Sequence, residues 1–392
     1  MSKLDELINT FCPEGVEYKK LKEVATISRG GSFQKKDYVE DGFPCIHYGQ
    51  IYTLYSLFVN ETANYISNEI ADKQKKAETN DVIMAVTSEN MEDVCKCVAW
   101  LGEGEVAVSG HTAIIHHTLD PKYLVYWLHS SMFYTQKVKL AHGTKVMEVK
   151  PDSLGDVILP VPPKEVQSEI VRVLDQLTEL TTKLTAELTA EHVARKKQYI
   201  YYRSALFNFG EEVPTVGLED ISENCDSQRR PVTKGNRTAG VYPYYGASGI
   251  VDYVDDYIFD GDYLLISEDG ANLLARVTPI AFPITGKNWV NNHAHILKFN
   301  DWYDQRFVEI YLNGIDLSKF ISGAAQPKLN QKNLNSIPIP YPPREERVRI
   351  VRILDNYERF CNDISNSLNT EAEARQKQYA YYRDNLLSFR SI

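Results

Sequence analysis

The chain has 392 residues, 43 % hydrophobic and 24 % charged, an ordinary globular make-up that excludes a disordered tail, a collagen-like rod or a disulfide miniprotein. Against 43 basic residues stand 53 acidic ones, and a formal charge of −10 argues against a surface that grips nucleic acid everywhere. The opening MSKLDELINT lacks the apolar core of a secretory signal, and no run approaches the ~18 apolar residues of a membrane helix. Cys12, Cys45, Cys95, Cys97, Cys225 and Cys361 are scattered without framework spacing and read as reduced thiols, so a cytoplasmic protein without a membrane segment is expected.

Residues 1–159 form a first head. Short β-rich runs, 81–86 (DVIMAV) and 94–99 (VCKCVA), alternate with Gly, Asn and Asp turns, and a helix-like stretch follows at 121–139. At Pro162-Pro163 the pattern changes, because a proline pair stops what precedes it and sits where a helix can begin. Beyond it Ile170, Leu174, Leu177, Leu184 and Leu188 recur at three-, four- and seven-residue steps, a narrow coiled-coil stripe. Unbroken from 164 to 208, this helix would be roughly 65 Å long. A second head at 211–339 is again mixed, with a β run at 263–267 (YLLIS) and a helix-like stretch at 305–319. Pro342-Pro343 then opens a second long helix with the stripe Leu354, Tyr357, Cys361, Ile364 and Leu368.

The two helical segments, 160–210 and 340–392, are copies. PVPPKEVQSEIVRVLD, from Pro160, aligns with PYPPREERVRIVRILD, from Pro340, at an offset of 180, and ARKKQYIYYRSALFNF continues in the same register against ARQKQYAYYRDNLLSF. Between positions 160–209 and their partners 21 of 50 residues are identical, which chance does not supply. Upstream the register drifts: Gly143 and Gly323 keep the offset, but His111 meets His293 only at 182 and LKEV meets LEDI at 197. A duplicated frame therefore carries two different heads. Two matching stripes on long helices most simply bury one another, giving an α+β chain of two mixed heads separated by an antiparallel coiled coil with internal pseudo-two-fold symmetry.

Catalytic chemistry is not legible. Both Pro-Pro pairs open helices and lack the trailing aromatic of an amino-methyltransferase tetrad. No phosphate loop accompanies Gly286-Lys287, and GASG at 246–249 is not a nucleophile elbow. Cys95-x-Cys97 with His116-His117 has the wrong spacing for zinc, and Glu148-Val149-Lys150 is at most half of a nuclease site. A chain with no catalytic residue, no metal and no cofactor of its own is expected.

The repeated Pro-Pro-helix segments with their KQYxYYR ends resemble the specificity subunit of type I restriction–modification systems. CPEGVEYKKLKEV (12–24), SRGGSF (28–33), YPYYGASGIVDYV (242–254) and SGAAQPKLNQKNLNSIPIPYPP (322–343) carry the same likeness, which covers nearly the whole chain. The resemblance implies a non-catalytic reader of double-stranded DNA. Two target recognition domains, 1–159 and 211–339, would each read one half of a bipartite asymmetric target. The conserved helical regions would set the spacer and hold two adenine methyltransferase subunits. Motor/nuclease subunits would complete the complex, and S-adenosylmethionine, ATP and magnesium would belong to those partners. An assembly scaffold with decayed DNA recognition is the alternative.

Each head carries a net charge of −6, so phosphate neutralisation must come largely from partners, and the isolated chain should bind DNA feebly. Base edges are read by Arg, Lys, Asn, Gln and small hydroxyls on loops. In the first head Arg29, Ser32, Gln34, Lys35 and Lys36 fall in a Gly-Gly loop, Ser88, Glu89 and Asn90 follow the 81–86 run, and Lys145 lies beside Gly143. In the second, the candidates are Gln228, Arg229, Arg230, Lys234, Arg237, Tyr245, Ser248, Asn272, Asn291, Asn292, Gln326 and Lys328. Tyr244 and Tyr245 also suit packing, and His111 and His293 read more readily as interior histidines at matching places than as contacts. Val146-Met147-Glu148 replaces Gln326-Pro327-Lys328 in the first Gly loop, so a role in one loop need not transfer to the other. Lys197, Tyr199, Tyr202 and Arg203, with Lys377, Tyr379, Tyr382 and Arg383, recur in both copies. They either meet a repeated partner, one methyltransferase on each side, or pack the helix ends.

Overall fold

A computed structural model describes residues 2–323 and 326–392; Ala324 and Ala325, within the 322–343 run, lie outside the described residues. Two helices dominate it, Lys164–Leu206 and Arg344–Leu386, each of 43 residues and each starting directly after its proline pair. The same lock holds both starts. Gln167 donates to the Pro162 carbonyl at 2.7 Å, and Arg347, its partner in the repeat, donates to the Pro342 carbonyl at 2.6 Å. The carbonyl freed by each proline pair is thereby satisfied.

The chain divides into two compact units, Met1–Glu187 with Thr370–Ile392, and Leu188–Asn369. Each long helix thus gives one half to each unit, and within each unit the two halves run antiparallel. In the first unit Thr178 donates to the Tyr379 hydroxyl at 3.0 Å, while Leu174 and Leu387 are both fully buried in one core. In the second, Tyr357 donates to Gln198 at 2.6 Å, Tyr199 and Tyr202 lie against the Tyr357 ring, and Leu206 packs with Ile350 and Leu354. The residues of the predicted stripe are buried or half-buried, as a narrow seam requires.

Each unit holds two larger sheets, and their strand orders correspond. In the first unit Ala25–Arg29, Thr112–His117, Val82–Ala85 and Cys97–Trp100 lie side by side, with Phe58–Val59 added at the edge. In the second the order is Glu223–Asn224, Ala294–Lys298, Tyr263–Ser267 and Ala281–Ile284. The other sheet reads Asn64–Ile66, Phe43–Ile46, Val106–Val108, Lys76–Ala77 in the first unit, with Tyr38–Val39 outside it. Its counterpart is Gly249–Val254, Ala239–Gly246, Lys287–Val290, Phe259–Asp260, and in both the central pair is parallel. The heads therefore share one fold although their sequences have drifted out of register.

The central strands are apolar on both faces because each face meets a different layer. Val82 and Met84 pack under the helix Pro121–Leu128, while Ile83 and Ala85 face Ile46, Val106 and Val108 of the second sheet. Leu264 and Ile266 likewise meet Val308 and Leu312, and Leu265 meets Val290. The helix expected over 121–139 is two helices, Pro121–Leu128 and Ser131–Leu140. Ser130 caps the second by accepting from the Phe133 amide, which breaks the run. The stretch expected at 305–319 is Trp302–Gly314 plus a short 3₁₀ turn, Ser318–Phe320.

Where head meets helix, the duplicated aspartate takes different partners. Asp175 receives Tyr126 at 2.7 Å and Lys122 at 2.6 Å. Asp355 receives Arg306 at 2.8 Å, and the same guanidinium holds Glu309 at 2.5 Å and Glu358. Burial raises the Glu309 carboxyl to about 7; Glu358 and Asp355 push the same way, against Arg306. Its folded value lies above the usual carboxylate value, so the native state keeps a proton that the unfolded chain releases. That contribution is whole below about pH 4 and is lost as pH rises through about 7. Glu309→Gln is therefore expected to match the parent at pH 4 and to exceed it at pH 8 by up to about 3 kcal/mol, read by urea unfolding. Equal stabilities at both values would refute this.

Candidate nucleic-acid interface

In both units the loops that the sequence marks gather at one end of the first sheet. In the first unit Arg29 ends its strand and lies 3.9 Å from Glu148, while Met147–Glu148 pairs with Thr87–Ser88. The Val86 amide donates to the His111 carbonyl and the Val149 amide to the Val86 carbonyl, so four segments meet there. Tyr48 places its ring 5.3 Å from that of His111. Arg29, Ser32, Gln34, Lys35, Lys36 and Lys145 are exposed and Ser88 is half-buried. Burial, with Lys35 and His111 close by, holds the His47 imidazole below its ordinary value. Asn90 is committed to its own turn, accepting from the Asp93 amide at 2.8 Å and donating to the Asp93 carboxylate at 2.9 Å.

The second unit repeats the scaffold. The Glu268 amide donates to the His293 carbonyl and the Leu329 amide to the Glu268 carbonyl, the same two bonds as in the first unit. Bridges between His142 and Glu148, and between Ser322 and Lys328, close equivalent loops over Gly143 and Gly323, whose φ values of 108° and 82° suit glycine. The loops thus share a shape despite their different residues. The hairpin turn at 247–249 joins the site through Ser267, whose hydroxyl donates to the Ala247 carbonyl. Gln228, Arg230, Lys234, Ser248, Asn292, Gln326 and Lys328 are exposed around it.

Several expectations need revision here. Arg229 points inward: its guanidinium lies 2.6 Å from Glu268 and 3.3 Å from Asp226 and donates to the Ala294 carbonyl at 2.8 Å. Arg237 is bound to Asp252 at 3.0 Å beneath the Tyr244 ring, and Asn291 is buried, accepting from the His293 amide at 2.8 Å. Asn272 is tied to Thr278, and Tyr245 is half-buried near Phe282. These side chains shape the loops instead of lining the surface. His111 and His293, expected inside, are both exposed; His293 lies 2.8 Å from Asp269. His111 has a φ of 63°, so it turns its loop at the strand start.

The interior of the second site is ionic. His295, buried, meets Asp226 at 2.6 Å and the Leu329 carbonyl at 2.7 Å, and Lys328 reaches Glu268 at 3.1 Å. Burial alone would raise both carboxylates, but His295 and Arg229 outweigh it for Asp226, and Arg229, His295 and Lys328 do so for Glu268, leaving both below the ordinary range. Asp226, Glu268 and His295 bring ligand atoms within 4.8 Å of one another, yet the Arg229 guanidinium already supplies the positive charge there. In the first unit Cys95 and Cys97 are buried, and burial pushes the Cys95 thiol up to about 12.

The helix-end residues split by face. Tyr199 and Tyr379 turn onto the facing helix, and Arg203 and Arg383 lie over them at 5.8 and 6.0 Å. Lys197, Tyr202, Lys377 and Tyr382 are exposed, as are Tyr201 and Tyr381, a matching pair in each copy.

The two heads carry one scaffold with different side chains at matched loops, and comparison with known proteins decides the family. The family model described as the type I restriction modification DNA specificity domain matches residues 13–191 and again 210–374. The chain belongs to that family. It is a type I specificity subunit by sequence, and its two family domains fall one on each head with the helix that follows. A putative type I restriction enzyme specificity subunit of Haemophilus influenzae is 36 % identical over 183 residues, 46 % of this chain and 47 % of that protein. The chain thus spans about half the length of that relative. A putative type I specificity subunit of Mycoplasma pneumoniae is 30 % identical over 254 residues, 60 % of this chain and 98 % of the relative. The fold matches a chain from a solved type I R-M system at TM-score 0.71 and 16 % identity, over 96 % of this chain and 98 % of the other. It matches the HsdS subunit of Thermoanaerobacter tengcongensis at 0.57 and 17 % identity, over 96 % and 97 % of the two chains.

Two acids at this surface, Glu148 and Asp269, lie outside the cations, amides and hydroxyls that dominate base reading. The available signal was the repeat register itself, which sets Glu148 opposite Lys328.

Proposed function

We propose that this specificity subunit is the non-catalytic DNA reader of a cytoplasmic type I restriction–modification complex. Target recognition domain 1 (1–159) reads one half of a bipartite target and domain 2 (211–339) the other, through the exposed loop residues named above. The helical regions, 160–210 and 340–392, set the unread spacer. Their repeated outward residues, Lys197 and Tyr202 with Lys377 and Tyr382, dock two adenine methyltransferase subunits, and motor/nuclease subunits join that core. S-adenosylmethionine, ATP and magnesium are used by those partners. The observation that carries the reading is the repeated loop scaffold, which puts Arg29 on one head where the other has Asp226. Identical scaffolds with unlike side chains suit two unlike half-sites.

Co-expression with the cognate methyltransferase subunit in a methylation-free host, followed by single-molecule mapping of N6-methyladenine, tests it. A gapped asymmetric motif that requires both chains is expected. A complex that co-purifies yet methylates no motif would support the assembly scaffold with decayed recognition.

A further inference from the structure

The strand register makes the comparison between the heads residue by residue. His111 and His293 accept the same backbone bond, so Ala113 corresponds to His295, and Arg29, opposite Ala113, corresponds to Asp226, which lies just beyond the strand Glu223–Asn224 and meets His295 through its side chain. The closing bridges of the Gly loops make Glu148 the counterpart of Lys328. The two heads therefore carry opposite charges at the same two places: cation then anion in the first, anion then cation in the second. What happens to those charges also differs. In the second head Val86 is replaced by Glu268 and Ala113 by His295, and with Arg229 these draw Asp226 into the buried ion network. In the first head the neighbours are apolar, so the charges have no inward partner. Arg29 stays 59 % and Glu148 37 % exposed, and at 3.9 Å they are beyond hydrogen-bonding distance of each other.

We propose that Arg29 and Glu148 act together to read one G·C base pair in the half-site of the first head, with Glu148 as a specificity-determining residue. This rests on the DNA-reading function proposed above. In the major groove a guanine offers two acceptors, O6 and N7, which a guanidinium fork takes bidentately, and the paired cytosine offers an amino donor that a carboxylate accepts. A cation and an anion side by side, both outward and joined only by a loose ion pair at 3.9 Å that a base pair can enter, match those adjacent edges of one pair. A carboxylate is a poor phosphate contact, so its place beside Arg29 favours base reading over backbone grip. Ser88 and His111 border the pair.

The test maps N6-methyladenine motifs for the complex of the full chain with its methyltransferase, comparing the parent with Arg29→Ala, Glu148→Ala and the double variant. Both side chains are outside the core, and thermal unfolding should be unchanged. The parent motif is expected to hold a G·C pair in one half at a position where each single variant relaxes discrimination by about tenfold or more. The same position should relax for both, the other half should stay strict, and the double variant should add little. Uniform loss of methylation at an unchanged motif would make Arg29 a phosphate contact and overturn the proposal. So would relaxation at two different positions, or in both halves. Absence of any gapped motif with the parent chain would instead fail the wider DNA-reading function.

Discussion

Replacing Arg229 by Met is expected to cost the second unit about 3–5 kcal/mol and to erase recognition of one half-site while the first unit stays folded. The guanidinium bridges two carboxylates, Glu268 at 2.6 Å and Asp226 at 3.3 Å, and it is itself only 14 % exposed. Without it those carboxylates face each other in a shielded site with only His295 and Lys328 to balance them. The damage should be local. Asp226 sits on the loop leading to Gln228 and Arg230, Glu268 precedes Asp269, and Lys328 closes the Gly323 loop. Hydrogen exchange should show Tyr263–Ser267 losing protection and Val82–Ala85 keeping it.

The pH response supplies a control with a definite sign. In the parent, both carboxylates lie below their ordinary range, so the network stabilises above the unfolded carboxylate range and its contribution is lost as pH falls through the lowered folded values. In Arg229→Met the missing cation should raise both, and acidification to about pH 5 should return part of the lost stability. A variant as stable as the parent at pH 8 would show that the network is not holding the loops.

The second large effect concerns the spacer. Removing one heptad from each long helix, residues 184–190 with 366–372, is expected to shorten the unread gap in the methylation motif while both half-sites keep their sequences. Seven helical residues span about 10 Å, or roughly three base pairs. The cut must be paired because the helices run antiparallel: Thr178 meets Tyr379 in the first unit and Gln198 meets Tyr357 in the second. A heptad keeps the stripe on the same face, and these segments lie outside the head cores. Methylation at the original spacing by a folded variant would end the idea that the helices set the gap.

How much of this was written in the residue order can be judged element by element. The long helices were legible because Pro-Pro marks their starts and a seven-residue stripe needs no tertiary information. The duplication and its offset of 180 were legible too, and so was the family. The strand 263–267 stood out because continuous apolar runs bounded by turns have few alternatives. The common fold of the two heads was not legible. Strand pairing depends on backbone bonds that tolerate almost any side chain, so Arg29 at the end of one strand and Asp226 just beyond the matching one can occupy one place with no trace in the sequence.

The candidate surface divides the same way. Residue type alone marked these segments as loops, since Gly, Asn and Ser punctuate them. It could not say which cations face out. Arg229 and Arg230 are neighbours in sequence, yet one is locked between Glu268 and Asp226 and the other is exposed. Those acids lie 39 residues downstream and three upstream. Sequence by itself determined the repeat, the helices, the family and the loops. Tertiary structure alone decided which charges are spent inside and which remain exposed, because pairing a buried charge depends on distances that only the folded chain brings about.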